Sequence, residues 1–191
     1  ELRQDSRVTI LDRTNVRHLT IEQVGEPVDL VVADLSFISL TLVLPALVSV
    51  SKTSTDYLVM VKPQFEVGRE KLGAGGVVRD AHLRKSAVQE VADSAYDMGL
   101  GCLGVVASSL PGPSGNVEYF LWLRRGAPEI DHTMLDEAIA IHPKVFWMQL
   151  GISNQESAER GAEAGITVVQ NRCLKVEHAR FHGGLHLAGF N

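Results

Sequence analysis

Apolar and polar positions along this chain fall into short blocks whose period switches repeatedly between strand-like and helix-like. "RVTILD" (7–12) and "VDLVVADL" (28–35) are dense in β-branched residues and predict buried strands. "LTLVLPALVSVS" (40–51) predicts a short helix with Pro45 near its start, and "YLVMVKP" (57–63) a further buried strand closed by Pro63. The next stretch, "QFEVGREKLGAGGVV", is too polar and glycine-rich for either element and reads as a loop. Asp80 then caps a helix whose apolar positions Leu83, Ala87, Val88, Val91 and Ala95 share one face, and Gly99 stops it.

"CLGVVASSL" (102–110) and "NVEYFLWLRR" (116–125) follow as strands joined by the turn "PGPSG". With no helix between them, they are expected to pair antiparallel at one end of the sheet. The remainder repeats the α/β rhythm: a helix at 133–141, a strand at 144–151, a helix capped at Ser153 or Asn154, a strand at 166–171 and a short helix near 175–182. The expected fold is therefore α/β. It has a mostly parallel sheet with an antiparallel strand at one end and a short α/β annex, divided softly at 128–142 into domains 1–140 and 141–191.

Composition narrows the function classes. At 191 residues and 45% hydrophobic, the chain can bury one ordinary core and a small annex. No apolar run approaches the ~18 residues that span a bilayer, and no basic-then-apolar start suggests a signal peptide. Cys102 and Cys173 lack C-x-x-C spacing and read as reduced thiols, so the expected location is cytoplasmic. Net charge is −5, with 13 Lys/Arg against 15 Asp/Glu in residues 1–128 and 5 against 8 beyond. That balance argues against a dedicated nucleic-acid-binding domain but leaves room for a local basic patch.

Gly99, Gly101 and Gly104 spell G-x-G-x-x-G, the dinucleotide fingerprint, but a helix precedes them and a strand follows. The motif needs the reverse order, so that a phosphate meets a helix amino terminus, and we discard it. More telling are Asp34 and Lys62, each ending a strand, and Glu118, which starts one running the other way. Carboxyl ends of adjacent parallel strands lie side by side, and an antiparallel strand begins at that same rim, where ligands of open α/β sheets sit. An acid, a lysine and an acid are thus expected to meet in one crevice. Taken singly, each has a plainer reading, as a helix cap, a solvated strand end and an exposed strand residue.

The segments "VDLVVADLSFISLTLVLPAL", "VKPQFEVG", "GGVVRD" and "LPGPSGNVEYFLWL", in this order and spacing, resemble the hemolysin-A (TlyA) family over about residues 1–140. The resemblance implies an FtsJ-like Rossmann methyltransferase sheet. The implied activity is 2′-O-ribose methylation of ribosomal RNA with S-adenosylmethionine, and the implied partner is ribosomal RNA or a ribosomal subunit. The family's Lys-Asp-Lys-Glu tetrad would place its last three members at Asp34, Lys62 and Glu118. Its first lysine, first strand, glycine-rich cofactor loop and S4-like RNA-binding domain would lie upstream of Glu1, leaving the sheet without its first strand and the activity of this chain incomplete. Asp12 and Asn15, after the first strand expected here, are weaker candidates for the adenosine side of the cofactor, with Asp34 its main carboxylate. The chemistry suits these residue types, because a lysine shielded from water can draw the proton from a ribose hydroxyl while carboxylates orient both.

Arg69, Lys71, Arg79, Arg84 and Lys85 gather in and after the glycine-rich loop, as either a solvated surface or a patch that follows RNA phosphates. The tail "AIAIHPKVFWMQLGISNQESAERGAEAGITVVQNRCLKVEHARF" resembles the second half of the small CoA-binding-domain family, so the alternative function is a CoA- or nucleotide-binding module without catalysis. His178, His182 and His186 recur every four residues, but Gly183 and Gly184 break the helix and no acid completes a set, so we expect no metal.

Overall fold

The computed structural model describes residues 2–112, 114–140, 145–147, 151–163 and 167–172. The chain forms two compact units, Glu1–Ala140 and Ile141–Asn191. In the first, a short helix α1 (Ile21–Val24) precedes β1 (Val28–Ala33), α2 (Leu44–Ser49), β2 (Ser51–Val61) and the single turn α3 (Pro63–Glu66). Then come α4 (Ala81–Asp97), β3 (Leu100–Ala107), β4 (Tyr119–Arg125) and α5 (His132–Ile139). The four strands form one sheet in the order β1-β2-β4-β3. Strands β1 and β2 are parallel, while β4 runs antiparallel to both β2 and β3. The β3–β4 pair thus closes one end of the sheet, with the antiparallel strand one place in from the edge.

Alternation along the strands gives the sheet two unlike faces. Val31 and Ala33 of β1, Tyr57, Val59 and Val61 of β2, and Tyr119, Leu121 and Leu123 of β4 are buried in one core. They pack with Leu44 and Leu47 of α2, Val88, Val91 and Ala95 of α4, and Leu135 and Ile139 of α5. The intervening residues Leu30, Val32, Leu58, Val106 and Trp122 are exposed on the opposite face. Asp80 caps α4 by accepting from the His82 amide at 2.7 Å, and Asp131 caps α5 through the Met134 amide at 2.8 Å.

One expected strand is not there. Residues 7–12 adopt no strand, and Val8, Ile10 and Leu11 stay 39%, 39% and 42% exposed. A β-branched run becomes a strand only when a neighbour pairs its backbone groups. The sheet makes no such pairing, and β1 stands at its edge. Other elements differ from expectation mainly in their limits. β2 begins six residues early, and β4 starts at Tyr119, so Glu118 immediately precedes its strand. Of the discarded glycines, Gly101 serves packing: a Cβ on it would lie 1.9 Å from the Ala127 carbonyl oxygen, so this strand passes its neighbouring turn only as glycine.

In the second unit, β5 (Val145–Trp147) and β6 (Thr167–Val169) pair in parallel, separated in sequence by α6 (Gln155–Glu163). Asn154, rather than Ser153, caps that helix, its Oδ1 accepting from the Ser157 amide at 2.8 Å. The helix expected near 175–182, Cys173 and the three histidines lie outside the described residues. No helix among the described residues is long and apolar enough to cross a membrane.

The two faces make a test of the core. Leu121, fully buried, should cost about 2–5 kcal/mol when changed to Ala. The same truncation at its exposed neighbour Trp122 should cost less, both read from urea denaturation of the two variants.

Candidate active site

The register of three strands builds a single rim. Ala33 of β1 pairs with Val59 of β2, and Val61 of β2 pairs with Tyr119 of β4. Asp34 and Lys62 therefore leave their strands where Glu118 enters its own. Lys62 Nζ lies 2.5 Å from Asp34 Oδ1 and donates to Ser36 Oγ at 3.3 Å. The lysine side chain is 11% exposed and the carboxylate 64%, so the ammonium is nearly enclosed while its partner faces the open crevice. Glu118 is buried, and its Oε1 accepts from Gln64 Nε2 at 3.2 Å. The acid–lysine–acid set is thus brought to one place.

Two crevices meet at Lys62 and Glu118. One, of about 660 Å³, runs from Asp34 past Met60 and Phe120 to the loop 107–112. The other, of about 960 Å³, is bordered by Phe37, Phe65, Arg17, Arg69 and the loop glycines Gly75 and Gly76. Lys62 and Glu118 form the partition between them. Gly112 leaves room for the Glu118 carboxylate, since a Cβ at this position would sit 2.6 Å from Glu118 Oε1 and displace it. Phe37 is 90% exposed at φ 63°, and its ring meets Phe65 with centroids 5.1 Å apart. A non-glycine residue in that region stores roughly 1–3 kcal/mol of backbone strain, which the surrounding loop must hold.

The glycine-rich loop is pinned from beneath. Asn116, buried, accepts from the Val78 amide at 2.9 Å and donates to the Gly76 carbonyl at 3.0 Å. Arg84, also buried, donates to the Tyr119 hydroxyl at 2.9 Å and to the Arg79 carbonyl at 2.6 Å. Burial pushes the Tyr119 phenol up, with Arg84 opposing the shift. Arg84 is therefore committed inside the fold and does not belong with a phosphate-contacting patch. Lys85 is half-buried and pairs with Asp136 of α5. Arg69, Lys71 and Arg79 are exposed, and of these Arg69 borders the larger crevice.

The two weaker cofactor candidates stand apart from this arrangement. Asp12 pairs with Arg3 at 2.7 Å, and Asn15 caps the 3₁₀ turn Val16–His18 by accepting from the Arg17 amide. Neither borders either crevice. Among the described residues no group of three or more His, Cys, Asp or Glu side chains could hold a metal ion.

Reading the residues alone missed Ser36, Phe37, Gln64, Glu66 and Asn116. Gln64 and Glu66 were within reach, since "KPQFE" places them two and four residues past Lys62. Arg84 also carried its own signal, lying three, four and seven residues before Ala87, Val88 and Val91 on the buried helical face.

The pinning of the loop is testable. Asn116→Ala leaves the Val78 amide and Gly76 carbonyl unpaired, at a cost of about 1–3 kcal/mol. Chemical denaturation should register that loss, and hydrogen exchange should quicken at Val78 before it does in β4.

The comparisons with known proteins fit this geometry. Residues 1–125 match the model of the FtsJ-like methyltransferases, and residues 126–179 match that of a CoA binding domain. The 16S/23S rRNA (cytidine-2′-O)-methyltransferase TlyA of Mycobacterium tuberculosis (strain ATCC 25618 / H37Rv) is 60% identical over 123 residues, which are 64% of this chain and 46% of that protein. The putative rRNA methyltransferase YqxC of Bacillus subtilis (strain 168) is 38% identical over 125 residues, 64% of this chain and 44% of that one. Among solved structures, a putative hemolysin from Streptococcus thermophilus superposes with a TM-score of 0.67 at 33% identity, covering 72% of this chain and 51% of that one. The chain thus spans about half the length of these relatives. With the family's model matching well over half of its residues, the chain belongs to the FtsJ-like methyltransferases.

Proposed function

We propose that the protein takes part in 2′-O-methylation of ribosomal RNA, with S-adenosylmethionine as methyl donor and Lys62 as the base. The observation that carries this reading is the meeting of Asp34, Lys62 and Glu118 at one rim in a chain of this family. The relatives named as ribosomal RNA methyltransferases supply the substrate class.

The smaller crevice fits such a donor at Asp34. The Asp34 carboxylate is open at its mouth, as a cationic sulfonium or ammonium requires, and the volume suits a small ligand. When bound, S-adenosylmethionine supplies an electrophilic methyl group. Asp12 and Asn15, which border neither crevice, are dropped from its binding set.

This chain's residues then do the following. Lys62, enclosed between Asp34 and Ser36, accepts the proton of the ribose 2′-hydroxyl once its ammonium has released one proton to solvent. Asp34 aims the lysine nitrogen, and Glu118, held by Gln64, orients the hydroxyl from the other side. The larger crevice receives the nucleotide, with exposed Arg69, Lys71 and Arg79 near it for backbone phosphates. This reading places the protein with ribosomes, in the cytoplasm.

A second reading applies to the carboxyl-terminal part. The match over residues 126–179 and the parallel β5–α6–β6 unit support a CoA- or nucleotide-binding segment. CoA in excess should then raise the thermal midpoint of the chain by mass action, and an unchanged midpoint removes this reading.

Transfer of labelled methyl from S-adenosylmethionine to ribosomal subunits tests the first reading. Incorporation at ribose 2′-oxygens is expected. Lys62→Ala should lower it by about 10²–10⁴-fold, the usual range for a lost general base, while leaving donor affinity within a few-fold. Lys62→Arg should be nearly as damaging, because a guanidinium stays charged. Asp34→Ala should weaken both binding and turnover. Near-normal turnover with Arg at position 62 overturns the base assignment, and a wild-type chain that transfers no methyl overturns the enzyme reading for this chain.

A further inference from the structure

The turn immediately after Lys62 touches both the loop that follows β1 and the approach to β4. Its Pro63 sets the first helical residue, and the Phe65 amide donates back to the Lys62 carbonyl at 2.8 Å, so the turn is rigidly joined to the lysine. From it, Gln64 reaches across to Glu118 at 3.2 Å. Phe65 packs on Phe37 of the loop following β1. Glu66 binds that same loop twice, Oε1 accepting from the Leu40 amide at 3.0 Å and Oε2 from the Ser39 hydroxyl at 2.5 Å.

The loop so gripped is the one that holds the lysine. Asp34 and Ser36, at its start, are the two partners of Lys62 Nζ. The contacts therefore close a circuit: from Lys62 along the chain to Glu66, across to Ser39, back along the loop to Ser36 and Asp34, and onto the Lys62 ammonium. Gln64 adds a side branch to Glu118.

This arrangement is held against local cost. Gln64 Oε1 is buried without a partner, and turning the amide over would set an oxygen against the Glu118 carboxylate. Burial also pushes the Glu66 carboxyl up, with Ser39 and the Leu40 amide opposing the shift. An unpaired buried carbonyl and a dehydrated carboxylate each weaken the fold locally. Such costs are tolerated where geometry matters more than stability.

Resting on the function proposed above, we propose that the turn Pro63–Glu66 is a brace that sets the Asp34–Lys62 pair beside Glu118, with Glu66 as its principal positioning residue. Glu66 touches neither crevice partner of the lysine directly; it acts through the loop that carries them.

The test reads the lysine itself and needs no methyl transfer. The full chain is labelled with trace acetic anhydride, and acetylation at Lys62 and at exposed Lys71 is compared by peptide mass spectrometry. In the wild type, Lys62 should react several-fold more slowly than Lys71. Glu66→Ala should raise Lys62 labelling several-fold with Lys71 unchanged, and Glu66→Gln, which can still accept from the Leu40 amide, should restore the slow rate. Ser39→Ala should move Lys62 in the same direction by less. A folded Glu66→Ala chain whose Lys62 labels at the wild-type rate overturns the brace. Should Glu66→Ala lose its far-ultraviolet circular dichroism, Ser39→Ala decides, and an unchanged Lys62 rate there overturns it equally. An inactive chain that still shows the labelling pattern keeps the brace, whereas an active chain without the pattern loses the brace alone.

Discussion

Everything at the rim depends on β2 having a parallel neighbour on one side and an antiparallel one on the other. Strand ends of equal sense would put only carboxyl-terminal residues at this edge. Because β4 runs the other way, its amino-terminal approach, with Glu118, arrives beside Lys62. The register is secured by burial on one face: Tyr57, Val59 and Val61 of β2 meet Leu123, Leu121 and Tyr119 of β4 in direct opposition. A slip of one residue would turn these side chains outward and bring Leu58, Met60 and Trp122 in, so hydrophobic burial and site geometry are specified together.

Polar groups taken into this fold are mostly matched to partners, and the matches converge on the loops. Asn116 and Arg84 spend their hydrogen-bonding capacity on the carbonyls and amide of the loop 76–79 and on Tyr119. Thr55, fully buried, donates to the Val28 carbonyl at 2.6 Å and secures the start of β1. Hydrogen bonds of this kind contribute modestly in net stability but cost heavily when broken. They make the loops between strands behave as parts of the sheet rather than as surface connections.

The opposite face of the sheet has another character. Leu30, Val32, Leu58, Val106 and Trp122 line it in the described residues, together with the Asp56–Arg124 pair at 2.6 Å. The Arg124 guanidinium beside Asp56 holds that carboxyl below its ordinary range, and the Trp122 indole donates to the same carboxylate. Among the described residues of this unit, the core-forming helices α2, α4 and α5 pack on the other side.

How much of this was legible follows from the range of each interaction. Local pattern determined β1, β2, α4 and the β3–β4 pair, because β-branched runs, the Asp80 cap and the Gly99 stop act within a few residues. The rim positions of Asp34, Lys62 and Glu118 followed from strand ends and topology, which the sequence also carries. Residues 7–12 failed as a strand because strand formation needs a partner that no local pattern contains. Tertiary structure alone decided that Lys62 would be enclosed against Asp34 and Ser36, and that Arg84 and Lys85 would bind protein rather than stay free. It also decided that Gln64 and Glu66 would reach two other loops. A charged side chain reads the same in sequence whether it meets water or, like Arg84, a tyrosine hydroxyl 35 residues away, and only packing settles which.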